Sequence, residues 1–421
     1  MAMTKYAALV EAAKQQRETR RLNVVREAMA TDSAFGEELS WQTLAHELDT
    51  VNRHITVRPD EFEEAAGDYS KIAEHLVAKL SWPNDAIRIA PQGSSSTRTL
   101  IRTPDSSKFD IDAVCAVDIS RIEAKDPVAF FEQIGEALED WKPDAKKRCW
   151  RVDLPNRSYY IEFTPSVPLA KIPAQIASSI RYHPSDRYRE SALAVVDRPT
   201  SQWKTSNPEG FSNWVSDQAK RPILVSNLLV KRAMEALASD SVIPVQEQDV
   251  PLSDTLRIAI RLLKRHRDMS VRRNLIDVDL KPISVVIVTL LTQCYEGLAD
   301  QAAQYTHPIE LLADLAELMP GMVEVRNGEY WIANPTVEGE NFAEKWNDNH
   351  ELKETFDAWS NLLIEDLQSI LSAPDEQTLR DRIRSVFGCT GATGSVPPSG
   401  SGLTSKTPTR VHTVPATRGL A

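Results

Sequence analysis

Residues 109–117, Phe-Asp-Ile-Asp-Ala-Val-Cys-Ala-Val, set two acids two positions apart inside an otherwise apolar run. A β-strand turns alternate side chains to one face. The segment therefore predicts a strand on which Asp110 and Asp112 project together, while Phe109, Ile111 and Ala113 point to a core. Two carboxylates on one face offer hard oxygen ligands to a divalent cation. They can bridge two ions about 3.5–4 Å apart, the clamp used for in-line phosphoryl displacement. A third acid must come from elsewhere, and the strand-like run Tyr159-Tyr160-Ile161-Glu162-Phe163 carries one among apolar neighbours. A buried lone acid is costly unless paired or metal-bound, which makes Glu162 the candidate.

The segment ahead of the acid pair fits the same chemistry. Ile87 to Ala90 reads as a short strand, and Pro91-Gln92-Gly93-Ser94-Ser95-Ser96-Thr97 as a turn opening a helix. Glycine lets the backbone approach a phosphate, Ser or Thr caps a helix start, and free amides there offer an anion site. A Gly-Ser pair is also an ordinary surface turn, and Asp-X-Asp recurs by chance. Their order and spacing, with Glu162 following, carry the joint reading. No His and acid arrangement near Ser94 to Ser96 supports a serine hydrolase.

A chain of 421 residues accommodates two or three domains. Its net charge of −11 argues against a protein that grips extended nucleic acid by its phosphates, but not against nucleotides that arrive with metal. Cys115, Cys149, Cys294 and Cys389 stand far apart without a C-x-x-C. Neither a disulfide framework nor a zinc site is indicated, and a reducing cytoplasm is the expected setting. The N-terminus leads into a charged helical stretch rather than a signal sequence. The most apolar run, 283–291, is too short to cross a membrane.

Residues 4–50 read as one or two amphipathic helices with an Arg-rich, solvated patch at 16–21. Pro59-Asp60-Glu61 opens a longer helix with Phe62, Ala65, Tyr69, Ile72, Leu76 and Leu80 on a helical period. The Pro- and Ser-rich stretch 165–210 reads as long loops with short helices. Helical spacing then recurs over 222–239, 249–269, 282–299, 308–318, 341–372 and 375–387, with a hairpin predicted at Asn327-Gly328. Residues 389–421 are largely Gly, Ser, Thr and Pro with no acid or aromatic, a composition that predicts a flexible tail. In the helix at 256–268, Leu256, Ala259, Ile260 and Leu263 form one stripe and Arg257, Arg261, Lys264 and Arg265 the other. A triphosphate needs cations opposite its metals, and Lys264 suits a point-charge contact; the same row also describes a solvated basic face. Tyr182, Tyr188, Trp203 and Trp214 are candidates for stacking a base or for core packing.

Several of these pieces together resemble the bacterial CD-NTases, the cyclic GMP–AMP synthase-like, DncV-like nucleotidyltransferases of CBASS anti-phage signalling. They are Gln92-Gly-Ser-Ser-Ser-Thr97, Phe109-Asp-Ile-Asp112, Ile161-Glu-Phe-Thr-Pro165, Asn207-Pro-Glu-Gly-Phe211 with Trp214, Leu262-Leu-Lys-Arg-His-Arg-Asp268, and Asn334-Pro with Glu340-Asn-Phe-Ala-Glu-Lys-Trp346. The resemblance implies a bilobed α+β fold with a polymerase-β-like nucleotidyltransferase core (59–220) and a mostly helical lobe (221–388), to which the chain's own patterning adds an N-terminal helical extension (1–58) and a disordered tail (389–421). It implies that nucleoside triphosphates, ATP among them, are joined into a cyclic di- or trinucleotide with release of pyrophosphate. Carried over by position, Gln92, Gly93 and Ser94 hold the triphosphate, and Lys264 matches a helical-lobe phosphate contact. Asp110, Asp112 and Glu162 hold two Mg²⁺ ions, or Mn²⁺. The third acid is often Asp in this family, so Glu162 departs by one methylene. The end Gly419-Leu420-Ala421 is similar to that of members conjugated by a ubiquitin-like ligase machinery, which makes Ala421 a candidate conjugation terminus. Two other readings stay open: a transferase acting on a tRNA, protein or small-molecule acceptor, and a non-catalytic nucleotide-binding scaffold.

Overall fold

The computed structural model describes residues 4–19, 38–104, 108–121, 126–172, 180, 182–221, 223–225, 242–305 and 308–389, all within one compact unit, Met1–Cys389. Arg20 and Arg21 of the Arg-rich patch, most of the expected helix over 222–239, and the tail from 390 with Ala421 lie outside what is described.

Three helices, α1 (Lys5–Thr19), α2 (Glu38–Ile55) and α3 (Pro59–Leu80), lead to β1 (Ile87–Pro91), the single-turn α4 (Gly93–Ser96) and β2 (Phe109–Val117). Next come α5 (Pro127–Ala137), β3 (Asp144–Ala145), β4 (Trp150–Val152) and β5 (Tyr159–Pro168), followed by β6 (Leu193–Asp197), β7 (Gln202–Ser206) and α6 (Pro208–Ala219). The C-terminal part is α7 (Thr255–Arg272), α8 (Ser284–Asp300), α9 (Pro308–Leu318), the pair β8 (Glu324–Arg326) and β9 (Glu329–Trp331), α10 (Glu344–Asp348), α11 (His350–Leu371) and α12 (Glu376–Phe387).

Seven strands form one mixed sheet, ordered β1-β2-β5-β4-β3, with β6 on the far end of β5 and β7 outside it. Antiparallel β1 and parallel β5 flank β2, and the register sets Asp112 opposite Glu162. Helices α3 and α5 cover one face. Tyr69, Ile72, Phe130, Phe131 and Ile134 pack there against Ile111, Cys115, Ile161, Phe163 and Val196. Burial of each such side chain is worth about 1.5–3 kcal/mol. A slip of one residue would turn this whole apolar set to solvent and both aspartates inward, so the core fixes which face carries the acids. Pro59 at the first helical position and Asp60 and Glu61 in the first turn start α3.

A second core joins α1, α2, α7, α8, α9, α11 and α12. The N-terminal helix is integral to it: Ala7, Val10 and Ala13 are buried. Two glycines let α1 approach closely, since a Cβ on Gly297 would meet the Tyr6 carbonyl oxygen at 2.5 Å and one on Gly321 the Ala13 Cβ at 2.6 Å.

The α+β reading holds, with local corrections. Residues 193–206 form two strands of the main sheet rather than loops. Every residue of β6 is buried, and β7 alternates, with Trp203 and Thr205 inward. The expected helix over 249–269 begins only at Thr255, capped by Asp254, whose carboxylate accepts from the Arg257 amide. Residues 242–254 form a strap instead, and the Ile243 amide donates to the Ile89 carbonyl at 2.9 Å. The stretch 341–372 breaks at Asn349, which caps α11. The hairpin turns on Asn327 and Gly328 at φ 52° and 85°, the left-handed pair its tight type requires.

Candidate active site

Strand alternation places Asp110 and Asp112 on the sheet face that α3 and α5 leave uncovered, half-buried, with Val114 and Ala116 beyond them. Glu162 lies directly across from Asp112, and Arg151 of β4 directly across from Glu162. Three neighbouring strands thus carry a row Asp112–Glu162–Arg151, each step about 4.8 Å. Arg151 donates to Glu162 Oε1 from Nε at 2.8 Å and from Nη2 at 2.7 Å, and the Cys149 thiol donates to Oε2 at 3.1 Å. The Arg151 guanidinium also lies over the Tyr160 ring, 4.1 Å from its centre. Burial, then the nearby charges of Asp110 and Glu162, hold the Asp112 carboxyl well above the usual carboxylate range, while Lys264 and Arg151 act against the shift. Like charges crowded on a half-buried face make a site short of positive charge.

The Gln92–Thr97 turn is built against this face. The Gln92 amide donates to the Asp112 carbonyl at 2.8 Å, and its side chain to Thr164 Oγ1 at 2.9 Å, so that side chain is committed to the sheet. Gly93 sits at φ +64°, and a Cβ there would lie 2.2 Å from Asp112 Oδ2. Conformation and proximity both demand glycine. Ser95 and Thr97 close the turn through their hydroxyls, on the Gln92 carbonyl at 2.9 Å and the Gly93 carbonyl at 3.0 Å. Gly93 stays exposed and Ser94 half-buried beside the acids.

The basic row of α7 is not a solvated face. Arg257, Arg261, Lys264, Arg265 and Arg267 are all buried, Arg261 completely. Their donors meet backbone carbonyls: Arg257 Nε reaches Thr97 O at 2.9 Å, Lys264 Nζ reaches Thr99 O at 2.8 Å, and Arg265 Nε reaches Phe387 O at 2.8 Å. Burial lowers the Lys264 ammonium to about 8, Arg267 adds to this, and Asp110 and Asp268 oppose it. Lys264 therefore feels the charge of Asp110, with one donor already used on the chain leaving the turn.

Among the described residues, no three His, Cys, Asp or Glu side chains converge into a ready-made metal cage. Asp110, Asp112 and Glu162 nonetheless form a donor set suited to a hard divalent cation. Each Glu162 oxygen accepts from one side chain, and a carboxylate has about four lone-pair sites, so ligating capacity remains once the carboxylate turns toward the aspartates. A cavity of about 1190 Å³ opens farther along the same sheet face, bordered by Arg88, Ala116, Lys171, Arg187, Tyr188 and Asn213 but not by the three acids. Of the proposed base-stacking residues, Trp203 and Trp214 belong to the cores, and Trp214 Nε1 donates to Glu296 at 2.9 Å. Tyr182 lies under Lys204. Only Tyr188 borders the cavity.

Residues 87–165 match the family model described as the nucleotidyltransferase domain of DncV-like cyclic GMP–AMP synthases. A c-di-GMP synthase of Roseivirga ehrenbergii is 23% identical over 308 residues, 72% of each chain. Among solved structures, the Bradyrhizobium diazoefficiens CD-NTase CdnG in complex with GTP superposes with a TM-score of 0.51 at 18% identity, covering 84% of this chain and 96% of its own. The E. coli MS115-1 CdnC:HORMA-deltaN complex gives a TM-score of 0.50 at 12% identity, covering 83% and 96%. At such identities the structural likeness is one of fold.

Proposed function

We propose that this chain, which carries the nucleotidyltransferase domain and the fold of the bacterial CD-NTases, joins nucleoside triphosphates into a cyclic di- or trinucleotide messenger for anti-phage defence. The observation that carries the reading is the row of acids. Asp110 and Asp112 share one face, Glu162 stands across from Asp112, and the Gly93 turn presses so close that no side chain fits between.

In this reading Gly93 and Ser94 receive the triphosphate beside the acids, and Lys264 adds positive charge behind it. Asp110, Asp112 and Glu162 would hold Mg²⁺ or Mn²⁺, which when bound lowers the cost of charge on the attacking and leaving oxygens. Glu162 accepts the ribose hydroxyl proton of the attacking nucleotide, exchanging its Cys149 contact for that one. The hydroxyl oxygen bonds to the α-phosphorus of the second nucleotide, and the α–β bridging oxygen leaves with pyrophosphate. The large cavity suits a nucleoside better than phosphates. Its three bordering cations are already paired, Arg88 with Glu209 at 2.8 Å, Arg187 with Asp217 at 2.7 Å and Lys171 with Asp118 at 3.5 Å. A cytoplasmic setting is part of the proposal, and no described helix is long and apolar enough to cross a membrane. Conjugation of Ala421 by a ubiquitin-like ligase machinery belongs to the proposal through the resemblance of Gly419-Leu420-Ala421, whereas the E. coli CdnC was solved in complex with HORMA-deltaN.

Incubating the protein with all four nucleoside triphosphates and Mg²⁺ or Mn²⁺, followed by phosphatase and mass analysis, should leave a phosphatase-resistant cyclic species. The Asp110→Asn, Asp112→Asn double variant should fold and make none. A double variant that still makes the product refutes the assignment of the acids. Wild-type turnover only with a tRNA, protein or small-molecule acceptor refutes the synthase.

A further inference from the structure

The catalytic turn is gripped from outside the sheet, by its carbonyl oxygens. Four attachments, at residues 95, 96, 97 and 99, come from residues far along the chain. Gln248 Nε2 donates to Ser95 O at 2.9 Å, Ser212 Oγ to Ser96 O at 2.8 Å, Arg257 Nε to Thr97 O at 2.9 Å, and Lys264 Nζ to Thr99 O at 2.8 Å. Ser212 belongs to α6, Arg257 and Lys264 to α7, and Gln248 to the strap 242–254 that runs from the β1 edge into α7.

Gln248 is the centre of this arrangement. It is 3% exposed, and its side-chain oxygen accepts from the Leu100 amide at 3.4 Å while its nitrogen holds Ser95. One side chain thus ties the turn to the segment that leaves it. Gln248 is itself held, since its carbonyl accepts from Arg261 Nη1 at 2.9 Å, and Arg261 also donates to Thr56 Oγ1 at the end of α2. Arg98 completes the tie from the other side, donating to the carbonyls of Glu247 and Asp249. A buried carbonyl or amide left without its partner is costly, so strap and turn keep one relative position. That position matters because Gly93 has no clearance from Asp112.

We infer that Gln248 is a positioning residue: through the strap it fixes where the Gly93–Ser94 turn stands relative to Asp112, and so how tightly the turn takes a triphosphate. The inference rests on the proposed nucleotidyltransferase reading. A role confined to general stability would weaken the whole fold evenly, whereas positioning acts on residues 93–97 and on nucleotide affinity.

Two variants of the full chain separate these roles. Gln248→Leu keeps the volume and removes the side-chain contacts to Ser95, Leu100 and, within the strap, the Gln246 carbonyl. Arg98→Ala, at a half-buried site, removes only the donors to Glu247 and Asp249. Amide exchange at residues 93–97 should quicken about tenfold in Gln248→Leu and less in Arg98→Ala, with β2 and α7 unchanged. Binding of a non-hydrolysable triphosphate with Ca²⁺ should weaken by a similar factor, and the loss in kcat/KM should fall mainly on KM. Exchange at 93–97 that matches wild type, or that rises equally across the molecule, overturns the inference. The exchange measurement needs no nucleotide, so it decides this point whether or not the wild-type chain makes a cyclic product.

Discussion

Replacing Gly93 by alanine isolates geometry from stability. At φ +64° an alanine costs about 1–2 kcal/mol, a minor part of the roughly 5–15 kcal/mol that holds a domain folded. The added methyl meets Asp112 Oδ2 at 2.2 Å, so the turn, the carboxylate or both must retreat by about an ångström to reach ordinary contact. A displacement of that size between reacting groups costs about a hundredfold in rate, equivalent to about 2.7 kcal/mol of barrier. Gly93→Ala should therefore unfold a few degrees lower and release pyrophosphate about a hundred times more slowly at saturating nucleotide. Thermal unfolding and initial rates on the same preparation test both parts. A rate within threefold of wild type, or a loss that merely tracks the unfolded fraction, would refute the close approach of turn and acid as a catalytic requirement.

Two titrations extend the argument. The native Asp112 carboxyl is raised above its unfolded value, so across that window the native state binds the extra proton and stability falls as pH rises. In EDTA, Asp112→Asn should be more stable than wild type at pH 7, with the advantage shrinking toward pH 4; urea unfolding at the two pH values checks this, and a destabilised variant at pH 7 contradicts it. Lys264, lowered to about 8, loses the charge that faces Asp110 and Asp268 as pH passes that value. kcat/KM should then show an alkaline limb near pH 8 that moves upward in Lys264→Arg, and a limb left in place assigns it to another group.

What the sequence displays depends on whether a residue's partners are near it in the chain. The strand 109–117 was legible because alternation is local and one face is buried. The turns at Asn327-Gly328 and the start at Pro59 were legible because they need no distant partner. Strands β6 and β7 hid in a Pro- and Ser-rich stretch because their burial comes from Phe130 on α5, whose ring sits 5.7 Å from that of Trp203. The burial of the α7 cations was hidden for the same reason: their acceptors are carbonyls of residues 97, 99 and 387. Arg151 gave no signal at all, lying on a three-residue strand too short for any period, although two of its donors engage Glu162.

The pieces Asn207-Pro-Glu-Gly-Phe211 and Asn334-Pro touch supports of the site rather than its centre. Asn207 caps α6, accepting from the Gly210 amide at 3.0 Å, and a Cβ on Gly210 would lie 2.6 Å from the Asn207 oxygen. That cap sets α6 so that Ser212 reaches the Ser96 carbonyl. Asn334 holds Glu340 at 2.7 Å, and Glu340 pairs with Lys204 of β7 at 2.8 Å, which ties the late segment to the sheet. Around the acids, Glu162 is held at both of its oxygens. The Glu162 side chain has the guanidinium of Arg151, on the neighbouring strand, at one oxygen and the thiol of Cys149, just before that strand, at the other, while the register aligns it with Asp112. Fidelity at this site is then a matter of holding a short turn and a long carboxylate still, and most of the residues that do so lie outside the sheet that carries the acids.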